Sequence, residues 1–554
     1  MKEHRKLRQL TGRFRDGRIS RREFLRDSTL LGLSATTAYS IAGVTMPESA
    51  RAADLPRGGT LRLGIRVVDV SSPHAMAFSD GTSAIRPVCD YLVRTDQNNV
   101  TRPWLLEGWD VSDDLRTWTL RVRDGVTWHN GRPFTSEDVD WNVRHALDPA
   151  TGSSILGLMS DYMLSEVPSG ETDADGKPVM QTELWDASAI EILDAKTLRL
   201  NTKVPQVAIP EHFFHYPFNM LDPEEGGSFG VGSNGTGPYR LVEHVVGERA
   251  VLERAPGTYF MGEANLDRIL FFDYGDNESA YARALISDQI DGVYEISVDQ
   301  APLIEAAKHL RIYRKATAYT VVARGKMNQP PFDDPRVMKA IRLATDNEKT
   351  VETGLRNLAV AGDHTHVSPI HPEWKDLGAF PHNVEQARAL LAEAGYPDGI
   401  DLEIAVKTQP ALELNAAQVM VEDWAKAGIR AKLEVMPESL FWDRWMDFPF
   451  SLTPWAHRPL ASMVMNLAYR TGAPWNESSF SNEDFDNLLT QLNGTVDPDE
   501  RSQITGRLME IMREVGPISQ PAFMQVAAAY NTRVRGFEMH PTKTIFLEEL
   551  AIEK

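Results

Sequence analysis

The stretch Arg123-Asp124-Gly125-Val126-Thr127-Trp128-His129-Asn130-Gly131-Arg132-Pro133-Phe134-Thr135-Ser136-Glu137-Asp138-Val139 packs two tight-turn dipeptides and a helix start into one short segment. Asp124-Gly125 and Asn130-Gly131 suit the left-handed backbone of hairpin turns. Upstream, Trp118-Thr119-Leu120-Arg121-Val122-Arg123 alternates apolar and polar residues as a half-buried strand does. Downstream, Thr135 and Asp138 form a capping pair, and Val139, Val143, Ala146 and Leu147 recur at helical spacing until Asp148-Pro149 ends the run. The segment therefore predicts antiparallel hairpins feeding a helix, within a mixed α/β body.

The same patterns extend outward. Residues 60–65 alternate as a strand after Gly58-Gly59. A strand over 269–274, a helix over 278–287 and a strand over 290–294 imply a parallel pair, because antiparallel neighbours need no helical crossover. Leu402, Ile404 and Val406 alternate, a helix follows to Lys426, and Ala431, Leu433 and Val435 alternate again. Two further helices precede this unit. Asp334-Pro335 starts one, and Asn383 with Gln386 starts another that ends at Gly395. No internal repeat or low-complexity linker interrupts the body.

Ser20-Arg21-Arg22-Glu23-Phe24-Leu25-Arg26 fits a twin-arginine export signal. A weakly apolar run over 28–44 follows, then Ala50-Arg51-Ala52, a small-x-small cleavage pattern. The expected leader is residues 1–52 and the expected compartment is the periplasm. The run is too short and polar to span a bilayer, and no cysteine near the cut could carry a lipid, so no membrane anchor is expected.

The chain has 554 residues, and about 500 after the cut, too many for one core. Its formal charge is −20. Eleven of the 58 Lys/Arg but five of the 78 Asp/Glu lie in the leader, so the exported body is more acidic still. Such a body repels phosphate backbones, which excludes nucleic acid as a partner. The one cysteine, Cys89, makes no intrachain disulfide and reads as a core residue.

Five motifs in order resemble the extracytoplasmic solute-binding proteins of the peptide/nickel class, the dipeptide- and oligopeptide-binding type that feed ABC importers. They are Pro103-Trp104-Leu105-Leu106-Glu107-Gly108-Trp109-Asp110-Val111-Ser112-Asp113-Asp114, the opening stretch 123–139, Gly235-Thr236-Gly237-Pro238-Tyr239, Pro331-Phe332-Asp333-Asp334-Pro335-Arg336-Val337, and Glu393-Ala394-Gly395-Tyr396-Pro397-Asp398-Gly399. The resemblance implies an α/β, two-lobed periplasmic-binding-protein fold of type II-like kind, with mixed sheets, two hinge strands and an extra inserted subdomain. Lobe I would comprise 53–95, 222–311 and 527–554, the inserted subdomain 96–221, and lobe II 312–526. The hinge strands would lie near 312–324 and 520–530. It also implies a monomer that closes on a small molecule or short peptide and delivers it to ABC importer permease subunits.

Where peptide-binding members place an acid for the peptide ammonium, this chain reads Pro454-Trp455-Ala456-His457-Arg458-Pro459-Leu460. A guanidinium matches a carboxylate, not an ammonium. Arg458, assisted by His457, is therefore expected to hold a ligand carboxylate, with Trp455 as an apolar wall; the alternative is a structural salt bridge beneath the hinge. The expected ligand is an anionic, amino-acid-derived solute. His74 is a candidate for lining the pocket, or else a capping residue. Tyr319 is a candidate from the hinge strand, or else a buried tyrosine satisfied by backbone. No carboxylate or thiolate completes an obvious metal site with His364, His366 and His371, so neither metal nor cofactor is expected.

An enzyme is the rival reading, but H-E-x-x-H and G-x-x-x-x-G-K-[ST] are missing. The alternatives retained are an exported hydrolase and a ligand-presenting receptor or holdase not coupled to transport.

Overall fold

A computed structural model describes residues 5–31, 33, 38, 41–42, 55–76, 79, 81–97, 99–172, 176–257, 259–297, 299–408 and 411–553. Most of the long-range backbone pairing falls in one twelve-stranded mixed sheet. Tyr239–Val245, Arg249–Arg254, Arg268–Phe272, Thr60–Gly64 and Gly292–Val293 form its first half, and Phe450–Trp455, Ile400–Lys407 and Ile429–Met436 its second. Between them run Ala522–Asn531 and the long strand Leu310–Gly325, paired antiparallel from Leu310↔Asn531 to Thr320↔Phe523.

That ladder shifts register between Ala316 and Tyr319. Such a bulge leaves backbone groups outside the ladder, and two side chains take them up. Thr317 Oγ1 donates to the Met524 carbonyl at 2.7 Å, and the Ala318 amide donates to His457 Nδ1 at 3.0 Å.

The second half follows the sequence pattern closely. Ile400–Lys407 and Ile429–Met436 pair in parallel from Ile400↔Ile429, joined by the helix Ala411–Lys426. In the first half, Arg268–Phe272 and Gly292–Val293 are parallel as expected, yet Thr60–Gly64 lies between them, parallel to both. The helix Glu278–Ile286 thus crosses over a third strand. Gly64 permits this, since a Cβ there would sit 2.7 Å from the ring of Tyr281 on that helix.

The opening stretch behaves differently at one point. Thr117–Val122 is a strand, but its partners are Leu106–Val111 and Thr197–Asn201 in a separate four-stranded sheet. The expected second hairpin shrinks to one bridge, Thr127↔Pro133, because Pro133 has no amide to extend a ladder. The capping pair holds: Asp138 Oδ2 accepts the Thr135 amide at 2.7 Å, opening the helix Ser136–Leu147.

The three largest apolar cores among the described residues follow this division. One lies under the first half and includes Cys89, Tyr239 and Phe271; a second lies under the second half around Phe332, Met420 and Trp424. The third joins Trp109, Trp118, Trp128 and Tyr162 to Trp455, Leu467 and Leu508, so segment 96–221 shares its core with residues of the second half. Gly235 and Gly237 belong to a close approach, since a Cβ at either would lie within 2.3 Å of the carbonyl oxygen of Val88 or Pro87.

Ser20 caps the helix Arg21–Leu30, which carries the twin-arginine motif. Phe24 and Leu25 are buried with Leu7 and Leu10 against Val100, Leu115, Val207 and Val496 of the body. The cleavage triplet Ala50-Arg51-Ala52 lies outside the described residues. Among the described residues, no helix is long and apolar enough to cross a membrane.

Candidate functional site

A cavity of about 620 Å³ lies between the two halves of the large sheet. Arg66, Glu278, Tyr281, Tyr294 and Glu295 face it from the first half; Lys407, Glu413, Trp442, Trp455 and Arg458 face it from the second. Tyr319 and Gln525 face it from the two middle strands. Among the described residues, ion pairs that cross the gap join Arg66 to Glu438 at 4.0 Å and Arg356 to Asp299.

Arg458 follows the strand Phe450–Trp455, whose pairing with the long strand sets Trp455 opposite Thr320. Its side chain is 5% exposed, yet among the described residues it has no carboxylate within ion-pair distance. One guanidinium nitrogen donates to the carbonyls of Ala456 at 3.3 Å and His457 at 3.2 Å, and the group bonds the Tyr216 hydroxyl. Nε has no partner. Burial pulls its pKa down, with Tyr216 only partly opposing.

Of the other buried arginines of the second half, Arg324 has a carboxylate partner, whereas Arg342 bonds only carbonyls and, like Arg458, leaves Nε unpartnered. Arg324 donates to Glu477 at 2.8 Å and to the Trp445 and Phe448 carbonyls, and Arg342 donates to the carbonyls of Gly516, Ile518 and Glu514. A buried cation without an anion carries a desolvation cost of several kcal/mol.

The structure brings His457, Trp455 and Tyr319 close to it. His457 Nδ1 accepts the Ala318 amide, which fixes the ring proton on Nε2. Trp455 donates to Glu477 Oε1 at 3.0 Å and heads a chain of edge-packed rings: Trp455–Trp475, Trp475–Trp445 and Trp445–Trp442, with centroids 5.9–6.1 Å apart. Tyr319 donates its hydroxyl to Glu413 Oε1 at 2.5 Å, and Glu413 lies 3.2 Å from Lys407, itself 3.3 Å from Glu438. Its partner is therefore a side chain and not backbone.

His74 is not among the lining residues. It is buried, with Nε2 2.9 Å from the Asn219 carbonyl and Nδ1 2.9 Å from His145 Nδ1. Burial lowers its pKa to about 4, so it sits neutral in the packing beside Phe218. His364, His366 and His371 are also engaged internally: His364 Nδ1 accepts the Gln520 amide, His366 meets the Tyr469 hydroxyl at 2.6 Å, and His371 meets the Arg458 carbonyl at 3.1 Å. The described residues contain no group of three or more His, Cys, Asp or Glu arranged to hold a metal.

Sequence reasoning missed Lys407, Glu413, Trp442, Trp445 and Trp475. The one legible signal was Trp442-x-x-Trp445, a helical spacing that sets both rings on one side of Glu438–Arg444.

The family model for bacterial extracellular solute-binding proteins, family 5, matches residues 100–477. The dipeptide-binding protein DppE of Bacillus subtilis is 23% identical over 492 residues, covering 83% of this chain and 86% of that protein. The glutathione-binding protein GsiB of Escherichia coli is 23% identical over 472 residues, covering 81% and 86%. Among solved structures, the periplasmic binding protein AgaA in complex with agropinic acid, from A. tumefaciens R10, superposes with TM-score 0.78 at 22% identity, over 90% of this chain and 99% of that one. DppA of Helicobacter pylori, in complex with the peptide STSA, gives 0.76 at 18% identity, over 90% and 99%.

Proposed function

The chain belongs to the bacterial extracellular solute-binding proteins of family 5, and from that premise we propose that it is the periplasmic substrate-binding component of an ABC importer, holding an anionic, amino-acid-derived solute by its carboxylate on Arg458. The observation that carries the ligand class is the buried guanidinium at the cavity wall, with no carboxylate within ion-pair distance among the described residues. A carboxylate supplies the missing charge and accepts from Nε, whereas a cationic or neutral solute leaves it bare.

The remaining parts of the reading fit this role. The lobes are 53–95, 222–311 and 527–554 on one side and 312–526 on the other, with 96–221 as an inserted subdomain. A solute touching both lobes binds the closed arrangement better and shifts the population toward it; reversing a mostly open population takes about 5 kcal/mol of differential affinity. Trp455 and the tryptophans beyond it stack on the body of the solute, and His457 braces Arg458 against the hinge strand. The protein acts as a monomer, without catalysis or cofactor, and releases the solute unchanged to the permease. The motif 20–26 directs it through the twin-arginine route.

Native mass spectrometry of the protein purified from its own host tests the ligand class. A co-purifying solute with a free carboxylate, displaced when Arg458 is replaced, is the expected result; a neutral saccharide would refute it. Small-angle scattering with and without that solute reads the closure.

A further inference from the structure

The segment read as a leader is packed on the body. Its two helices, Arg5–Arg15 and Arg21–Leu30, hold each other through Phe14 stacked on Phe24 with ring centroids 4.7 Å apart, and the second helix lies against the strand Thr101–Pro103. In that helix every residue from Phe24 to Thr29 is buried. A helix turns once in about 3.6 residues, so six buried residues in a row are covered on every face. A helix lying loosely on a surface would keep a polar face in water.

The surface beneath has matching chemistry. Its apolar part is built by Val100, Leu115, Val207 and Val496, buried together with Leu7, Leu10, Phe24 and Leu25 of the leader. At its edge Arg13 pairs with Asp497 and Asp499, where the helix Pro498–Val515 begins. Inside the contact, Arg26 and Asp27 form an ion pair with side chains 5% and 4% exposed. The body surrounds that pair with charges of the complementary sign: Glu373 and Glu211 attract Arg26, and Arg501 attracts Asp27. Arg501 is itself paired with Glu373. Burial raises the Glu211 pKa to about 8, and Arg26 opposes this ahead of Arg501, so the leader supplies the stronger counter-charge to that carboxyl. Apolar sequence alone would not set a buried ion pair opposite partners for both of its charges.

We propose that the folded body carries a docking groove whose occupant is its own leader, residues 5–31, and that docking withholds the export motif from the export machinery. Phe24, Leu25 and Arg26, the last three residues of the motif, lie inside the contact, while Ser20 and Arg21 are exposed. The groove draws on residues 100–207 and 496–501 together, so it exists only once those distant segments have folded against each other. A full grip on the motif then requires the leader to leave the groove. The inference rests on the reading of residues 20–26 as a twin-arginine signal.

Hydrogen exchange on the full chain, purified from cells without a twin-arginine pathway, tests the docking. The amides of Phe24–Thr29 should exchange about 100-fold or more slowly than in a synthetic peptide of residues 1–31. Leu7→Ser with Leu10→Ser changes neither the body nor the motif, and Val207→Ser with Val496→Ser leaves the leader intact. Each pair should bring the exchange to within about tenfold of the peptide. Pulse-chase export in cells that have the pathway tests the withholding: both pairs should reach the periplasm roughly threefold or more faster than wild type, since only the undocked fraction is competent. If the body pair does not fold, the leader pair decides alone. Exchange at the peptide rate in the wild-type chain overturns the docking, and release variants exported no faster than wild type overturn the withholding. Arg21→Lys with Arg22→Lys tells these failures from failure of the signal reading: export at the wild-type rate refutes the twin-arginine signal, and with it the withholding, whatever the exchange rates.

Discussion

Replacing Arg458 by methionine should move affinity and stability in opposite directions. In the ligand-free protein the guanidinium is 5% exposed, faces no carboxylate among the described residues, and leaves Nε without a partner. Methionine fills similar volume without charge. The variant loses a cation–π contact with Tyr216, whose ring centroid is 5.3 Å from the guanidinium carbon, worth about 0.5–2 kcal/mol, and the long hydrogen bonds to the Ala456 and His457 carbonyls and the bond to the Tyr216 hydroxyl. It sheds a desolvation cost of several kcal/mol. The ligand-free variant should therefore be more stable by roughly 1 kcal/mol or more, read as a raised thermal midpoint. With the native solute the sign reverses. A buried carboxylate deprived of its guanidinium should cost about 2–5 kcal/mol, or roughly 30- to several-thousand-fold in Kd by calorimetry. If Arg458 were instead part of the scaffold, the variant would be less stable without solute and nearly unchanged in affinity. That pair of results refutes the reasoning.

Two further outcomes follow from the buried charges. Asp90 accepts from Trp104 Nε1 and the Tyr259 hydroxyl, both at 2.9 Å, and from Thr236 at 3.3 Å, yet burial raises its pKa from 3.8 to about 6. The folded chain thus holds this proton more tightly than the unfolded one. Its contribution is fully present below about pH 4 and is lost as pH rises through 6. Asp90→Asn should flatten denaturation profiles between pH 4 and 6 and stabilise the protein at pH 7.5 by up to about 3 kcal/mol. Glu477 accepts from Arg324, Thr453 and Trp455 at 2.8–3.0 Å with everything buried. Glu477→Gln should cost about 3–5 kcal/mol by leaving the Arg324 cation without an anion, read as a lowered thermal midpoint.

The elements that sequence pattern located well are those whose signals are local. Thr135 and Asp138 are three residues apart, and their bond forms wherever the helix starts. The unit from Ile400 to Met436 carries its alternation, its helix and its second alternation in one contiguous run, so its parallel pairing was legible. Pairing among distant segments was less so. The strand Thr60–Gly64 enters between Arg268–Phe272 and Gly292–Val293 from more than two hundred residues away, and neither its alternation nor theirs encodes the neighbour. His74 was a candidate either for the cleft or for a surface or capping role, and the ring found an internal partner in the Asn219 carbonyl.

From its residues alone the chain determined an acidic α/β body, a paired-arginine helix start at residues 20–26, and a Trp-Ala-His-Arg segment where a positive charge replaces an expected negative one. All three are matters of composition or of neighbours along the chain. Tertiary structure alone decided that Arg458 is buried with no carboxylate within ion-pair distance among the described residues, and that Trp442, Trp445, Trp475 and Trp455 form one aromatic wall. Burial and partnership depend on what long-range packing brings within a few ångströms, and a guanidinium's chemistry is set by that surrounding shell more than by the residues beside it in sequence.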